Sequence, residues 1–371
     1  MAPPSPGTPG SPGPRSRRAQ AQRPRLRLRP VRLLVAAAAA VAVWSAWRAR
    51  RLTLARAPGP GGGGEGAGAG RECFDRLLRS GRMLRCKRIA GAGEDWCWAR
   101  HRLYERIAVS TLAAGRLQSI QSHDAGELFT TDGPEGRPVP VLHALDVPVR
   151  AVVLKAAQGT QVAAVKDAVR AALDGAADPG RVWWQDERMF HSTLVHAVGT
   201  CGRAGGGRRT DQEEKSTHTD PVPSTPAEIS YEKEAVRDEA GFLCAVVATL
   251  ERVFLTASGT VVAGWQIETG TEVADMRRRL RRILPNSPEK QTVTSPEIFH
   301  TTVARLVEPP ERPEAVARAL EAATRGLCGH TVAFGHLAYV VERDLLALAL
   351  RGNYAATEFP LKACPLRRRA L

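Results

Sequence analysis

Two short segments of the chain carry side chains in an order that chemistry can use. Phe190-His191-Ser192-Thr193-Leu194 and Phe299-His300-Thr301-Thr302-Val303 both read Phe-His-[Ser/Thr]-Thr-aliphatic, 109 residues apart. With nine His in the chain, about 0.6 His-x-Thr triplets arise by chance, so the triplet alone carries little. Requiring the Phe and the aliphatic residue in two copies lowers the expectation below about 0.001, which sets coincidence aside. On a strand, residues i and i+2 share a face, so His191 projects with Thr193 and His300 with Thr302. The flanking Phe and aliphatic residues, with Ser192 and Thr301, turn to the other face and belong to a core. If two half-domains bring these faces together, two imidazoles and two hydroxyls converge on one small volume.

That quartet suits a phosphodiester. One His can deprotonate an attacking water while the other protonates the leaving ribose oxygen. The Thr hydroxyls can hold the nonbridging oxygens as charge builds in the transition state. This chemistry needs no metal, and neither a metal ligand set nor a cofactor motif is evident. Gly-x-Gly-x-x-Gly, Walker A, His-Glu-x-x-His and Gly-x-Ser-x-Gly patterns give no convincing match.

The motifs need strands to hold them. From about Val141 the pattern alternates strand and helix: VRAVVLKA (149–156) as a strand, TQVAAVKDAVRAAL (160–173) as an amphipathic helix, and one or two strands in 181–198. After a Gly-, Arg- and Pro-rich insertion at 199–229, YEKEAVRDEAGFLCAVVATLE reads as a helix. RVFLTASGTVVAGWQIE reads as a hairpin turning at Ala257-Ser258-Gly259. TEVADMRRRLRRILP is a helix stopped by Pro285, EIFHTTVARL a strand, PEAVARALEAATRGL a helix, and HLAYVVERDLLALAL a further pair of strands. Strands interleaved with helices predict an α+β or α/β core.

With both motifs in place, the sequence resembles the two-histidine (2H) phosphoesterases, which carry paired His-x-Thr-x motifs on two half-domains. LTASGTVVAGWQIETGTEVADMRRRLRRILPNSPEKQ, just before FHTTVARL, is similar to a plant-type branch described as RNA ligase/cyclic nucleotide phosphodiesterase-like, whose members bear an N-terminal hydrophobic segment. The resemblance covers about 140–362 and says little of 71–140. It implies a bilobal α+β fold, two pseudo-symmetric lobes with antiparallel sheets lining a central cleft. It also implies His191 and His300 as the catalytic pair, with Thr193 and Thr302 as phosphate ligands. The activity implied is metal-independent hydrolysis of a 2′,3′-cyclic phosphate or related nucleotide or RNA phosphodiester, with no cofactor. A non-catalytic nucleotide- or RNA-end-binding module using the same cleft, and 3′-end RNA processing by the same His pair, are the alternatives.

Bulk charge adds no argument for nucleic acid. The net charge is +15, but residues 1–64 hold twelve Arg, no Lys and no acid, leaving about +3 on the rest. A hydrophobic fraction of 43% excludes wholesale disorder. The expected organisation is a disordered basic tail (1–32), a membrane anchor (33–47), a Gly/Pro linker (48–70), a helical extension (71–140), the phosphoesterase-like domain (141–362) and a basic tail (363–371). The Leu33–Trp47 run with Trp44 and Trp47 at its end predicts a single-pass anchor and an endomembrane location. A transit peptide, a cleaved signal peptide and an Ala-rich helix are the alternatives. Cys73, Cys86 and Cys97 lack zinc-site spacing; two of them could pair in an oxidising lumen. His196, five residues past His191, falls on the opposite face of a regular strand and reads as structural. Core or solvated roles are also expected for His330, His336, Trp183, Trp184 and Trp265. The runs Arg277-Arg278-Arg279, Arg281-Arg282 and Arg367–Arg369 read as solvated charge.

Overall fold

The computed structural model describes residues 68–83, 95–112, 117–118, 124–198, 223–288, 291 and 293–364. The expected basic tail 1–32, the anchor 33–47, most of the linker and the 199–222 part of the insertion lie outside them, as do residues 365–371.

Eight strands form one antiparallel sheet: β1 (Ala144–Ala156), β2 (Val182–Trp184), β3 (His191–His196), β4 (Val246–Leu255), β5 (Thr260–Thr269), β6 (His300–Leu306), β7 (Thr331–Asp344) and β8 (Tyr354–Pro360). Their order is β2-β6-β5-β4-β7-β1-β3, with β8 on the free side of β7. β7 divides this sheet into lobes. Thr331–Phe334 pair with β4, whereas His336 onward pairs with β8 on one side and β1 on the other. Lobe A is therefore β3-β1-β7-β8 and lobe B is β2-β6-β5-β4. The α+β class with antiparallel lobes matches the expectation. The lobes are not the two halves of the chain, because β2 crosses to lobe B and the last two strands return to lobe A.

Among the described residues, six helices longer than one turn accompany the strands: α1 (Gly68–Arg79), α2 (Trp96–Leu112), α3 (Thr160–Leu173), α4 (Pro226–Ala240), α5 (Val273–Ile283) and α6 (Pro313–Leu327). α3 buries Val162, Val165, Val169 and Leu173 at helical spacing, and α6 does the same with Val316, Leu320, Ala323 and Leu327. Each buried Val or Leu of these stripes contributes about 1.5–3 kcal/mol relative to exposure. These stripes join Val152, Leu154, Trp265, Phe299, Phe334 and Tyr339 in the main core. α4 begins inside the segment expected as a loop. Thr225 and Glu228 form a capping box with Pro226 at the first helical position. It ends before Gly241, and the valine-rich stretch read as more helix is the strand β4.

The extension packs on lobe B. Tyr104 of α2 is fully buried against Phe254 and Val262, and a Cβ on Gly264 would lie 3.0 Å from its ring. Glycine is needed there for this close approach. The Arg100 guanidinium donates to Gln266 Oε1 and Glu272, while Gln266 donates to Glu251, which holds His101. Disulfides add long-range closure: among the described residues Cys73 of α1 pairs with Cys328 after α6, and Cys244 with Cys364. Cys73 therefore pairs outside the first three cysteines, because the fold brings α1 against α6, and Cys364 ties down the start of the expected tail.

The membrane-anchored location requires correction. Among the described residues no helix is long and apolar enough to cross a membrane, and residues 33–47 lie outside them. The run itself shows the physical reason: fifteen residues make about 22 Å of helix, short of the ~30 Å hydrocarbon core, and most of them are alanine.

Candidate functional site

Both motifs lie on strands, with the predicted alternation. Phe190, Ser192 and Leu194 are buried on β3 and its approach while His191 and Thr193 are half-buried. Phe299, Thr301 and Val303 are buried on β6 while His300 and Thr302 are half-buried. The Phe and aliphatic residues thus anchor each strand to the core and leave the His and Thr on the open face. β3 and β6 pack against one another, and the two imidazoles are near enough for their charges to interact.

A bulge follows the Thr in each motif. Thr193 and Val195 oppose Val153 and Val152, leaving Leu194 as the extra residue; Thr302 and Ala304 oppose Val262 and Val261, leaving Val303 extra. One extra residue reverses the side-chain parity beyond it. The residue five after each motif His therefore returns to the His/Thr face. In the second motif that residue is Arg305, paired with Thr260, and in the first it is His196, paired with Ala151. This corrects the expectation for His196, which assumed a regular strand. Its backbone is pinned, its N–H donating to Gln291 and its carbonyl accepting from Ser287.

Arg305 is the residue the sequence reading missed. It is buried, donates from Nη1 to Thr260 Oγ1 at 2.9 Å, and leaves Nε without a hydrogen-bond partner. Among the described residues no carboxylate pairs with it. Its charge acts on both His191 and His300, and burial lowers its own pKa to about 10. A buried guanidinium with a spare donor beside two imidazoles suits an anion. The signal was present in the sequence, since Arg305 stands five residues after His300, but only the bulge gives that spacing a meaning.

Other residues fix the two strands. His191 Nδ1 donates to the Met189 carbonyl at 2.7 Å, which holds the ring and leaves Nε2 toward the cleft. Lys155 stands opposite His191 on β1, and His336 stands opposite Lys155 on β7. Arg277 of α5 is buried rather than solvated. Its guanidinium donates to the carbonyls of Thr193 (2.9 Å) and Leu194 (3.2 Å) at the first bulge, and to those of Pro296 (2.5 Å) and Ile298 (2.6 Å) ahead of His300. One side chain thus straps the two motif segments together. Tyr104 Oη donates to the Phe299 and Trp265 carbonyls, next to His300.

Burial, then the charges of Arg277, His191 and Arg305, lowers the His300 pKa to about 4. Burial also lowers that of His191, opposed by the Met189 carbonyl and assisted by Arg305 and Lys155. Both imidazoles are therefore neutral in the free protein at pH 7. A reaction needing one neutral and one protonated His rises as pH climbs through the lower pKa and falls as it passes the higher. The kcat/KM profile is expected to be bell-shaped with its maximum below pH 6.5, the unperturbed His value. A maximum above pH 7.5 would contradict this assignment of charge.

The remaining candidates occupy ordinary places. Trp183 and Trp265 are buried, the latter donating from Nε1 to Thr301 Oγ1 at 3.1 Å; Arg170 lies over the Trp184 ring. His330 Nε2 bonds the Gln161 carbonyl. Arg278 and Arg279 pair with Asp275 and Glu239.

No family model matches the chain, and no curated protein does. Among solved structures, a conserved protein of unknown function from Agrobacterium tumefaciens str. C58 is similar at 17% identity and a TM-score of 0.41, over 62% of this chain and 90% of that one. Kluyveromyces marxianus Usb1 is similar at 10% identity and a TM-score of 0.35, over 57% of this chain and 98% of that one.

Proposed function

We propose that the chain is a metal-independent phosphodiesterase of the 2H type, acting on a 2′,3′-cyclic phosphate or a related nucleotide or RNA-end phosphodiester. The observation that carries this is the convergence of His191, Thr193, His300, Thr302 and the bulge-presented Arg305 on facing strands. With one proton shared by two imidazoles, it resides on His191, whose Nδ1–H is held by the Met189 carbonyl, whereas Nδ1 of His300 has no hydrogen-bond partner and that ring stays neutral. His300 then takes a proton from water as the water oxygen attacks phosphorus. His191 gives its proton to the departing ribose oxygen, and the proton gained by His300 resets the pair. Thr193, Thr302 and Arg305 hold the nonbridging oxygens, where positive and hydrogen-bonding groups favour the added charge.

The test uses the full chain with EDTA present and a panel of nucleoside 2′,3′-cyclic phosphates, ADP-ribose 1″,2″-cyclic phosphate and short cyclic-phosphate-ended RNAs. Hydrolysis by the wild type, absent from the His191→Ala/His300→Ala variant, is the expected result. Tight nucleotide binding with no turnover on any substrate would replace the enzyme reading with a binding module. Turnover of RNA ends alone would point to 3′-end processing.

A further inference from the structure

The two flanks of the His pair differ. On lobe B, Gly264 and Val262 stand opposite His300 and Thr302, and α2 covers them with Tyr104, Ile107 and Ala108. A substrate extending that way would meet the extension. On lobe A, the row from His191 continues through Lys155 to His336, which is exposed. A cavity of about 520 Å³ opens beside this row, lined by Lys155, Asp186, Arg188, Met189, Arg351 and Glu358. It adjoins the reacting site directly, since Met189 holds His191 through its carbonyl and Lys155 faces His191 across the ladder.

The charged groups of this cavity are arranged rather than scattered: Lys155 pairs with Glu358 at one side, and two arginines share one carboxylate at the other. Asp186, 13% exposed, ion-pairs both Arg188 (2.8 Å) and Arg351 (3.2 Å), which are 67% and 58% exposed. Hydrogen bonding from Arg188 keeps the Asp186 pKa at about 2, so the carboxylate stays charged and orients both guanidiniums. A guanidinium has five N–H donors, and one shared carboxylate leaves several on each for another anion. Arg351 sits at φ 60°, in the left-handed region where a side chain is disfavoured, at the end of the turn Ala347–Leu350. The turn itself is held by Leu348 packed on Ala151, Val153, Ala338 and Val340. Strain of this kind persists where the surroundings impose it, and here it presents a guanidinium to the cavity.

We propose that the cavity between Lys155, Arg188 and Arg351 binds a second phosphate of the substrate, next to the one being hydrolysed. This rests on the phosphodiesterase reading and narrows it: preferred substrates carry at least two phosphates, in an oligonucleotide or in a pyrophosphate-linked nucleotide. One strand spacing, about 4.8 Å, separates the His191 and Lys155 strands, so the second group lies over the neighbouring strands of lobe A. A lone cyclic mononucleotide leaves the cavity to solvent.

The experiment compares kcat/KM for uridine 2′,3′-cyclic phosphate, for UpU ending in a 2′,3′-cyclic phosphate and for ADP-ribose 1″,2″-cyclic phosphate. It uses the wild type and an Arg188→Gln/Arg351→Gly variant. Glycine suits the left-handed backbone at 351, so this change removes the guanidinium without straining the turn. The wild type is expected to favour a substrate with two or more phosphates by about tenfold or more, the scale of one charge-assisted pair. In the variant the ratio should collapse toward one; Arg237→Gln, on exposed α4, should leave it as in the wild type. Preference for UpU alone assigns the site to an internucleotide phosphate, and preference for the ADP-ribose compound alone to a pyrophosphate. Equal kcat/KM for the one-phosphate substrate and for those with two or more, or a preference that survives in the variant, overturns the proposal. If nothing is turned over, the phosphodiesterase reading fails, and the cavity is tested by binding. The wild type should then hold uridine 3′,5′-bisphosphate about tenfold more tightly than uridine 3′-phosphate, with the difference lost in the variant; equal affinities overturn it.

Discussion

Replacing His191 or His300 with Ala is expected to lower kcat on a cyclic phosphate by about 100-fold or more, the scale of a lost general acid or base. The two changes should not differ greatly in folding, since both rings are half-buried on the open face while the Phe and aliphatic neighbours that anchor each strand remain. Their pH profiles should differ. Without His300 the base is lost, and the acid limb governed by its value of about 4 disappears. Without His191 the alkaline limb goes instead, because that limb reports the imidazolium. Rates within a few-fold of wild type for both variants, on every substrate turned over, would remove the His pair from the mechanism.

Arg277→Met is expected to have the largest effect on stability. The wild-type guanidinium satisfies four backbone carbonyls, and methionine fills similar space but donates nothing. A buried carbonyl left unpaired costs about 1–3 kcal/mol, so a loss on the order of 4 kcal/mol follows for the four. For a domain of this size that lowers Tm by roughly 10 °C. Arg277→Lys keeps the charge but has no planar fork to reach both segments, so it should recover little of the stability and little of kcat. Thermal unfolding and steady-state rates for both variants check this. A lysine variant with wild-type Tm and kcat would show that charge alone, not the strap, matters at this position.

Much of this site was legible where local pattern and tertiary environment agree. The bounds of α3 and α6 follow from their apolar stripes, and the β4–β5 hairpin turns at Gly259, whose φ is 75°. The faces of the two motifs followed from period-two alternation alone. Legibility ended where a single residue changes the count. A bulge cannot be seen in Leu194 or Val303, both ordinary strand residues, yet it decides which way His196 and Arg305 point. Arg277 was hidden by its neighbours: among five arginines in six positions, charge suggested solvent. Helical spacing places it with Val273 and Leu280 on the buried side. HLAYVVERDLLALAL read as two strands because two apolar runs flank Glu342-Arg343-Asp344. The chain instead continues straight as β7, then turns at Leu346, φ 55°, into a short helix. The true partner, β8, has exposed positions and little alternation, as an edge strand can.

The exchange of strands between the lobes bears on how the protein is made. β1 leaves the ribosome early, but its partner β7 begins 175 residues after β1 ends. At about 5–20 residues per second that is a wait of roughly 10–35 s. Throughout it, the apolar ladder of Val149 to Leu154 has only β3 to pair with. Lobe A cannot close before β8 emerges, and the Cys73–Cys328 link joins a residue made before β1 to one made just ahead of β7. Truncated messages ending before Thr331 should therefore yield aggregates rather than a folded half. Expression will be most sensitive to folding helpers acting on the nascent chain.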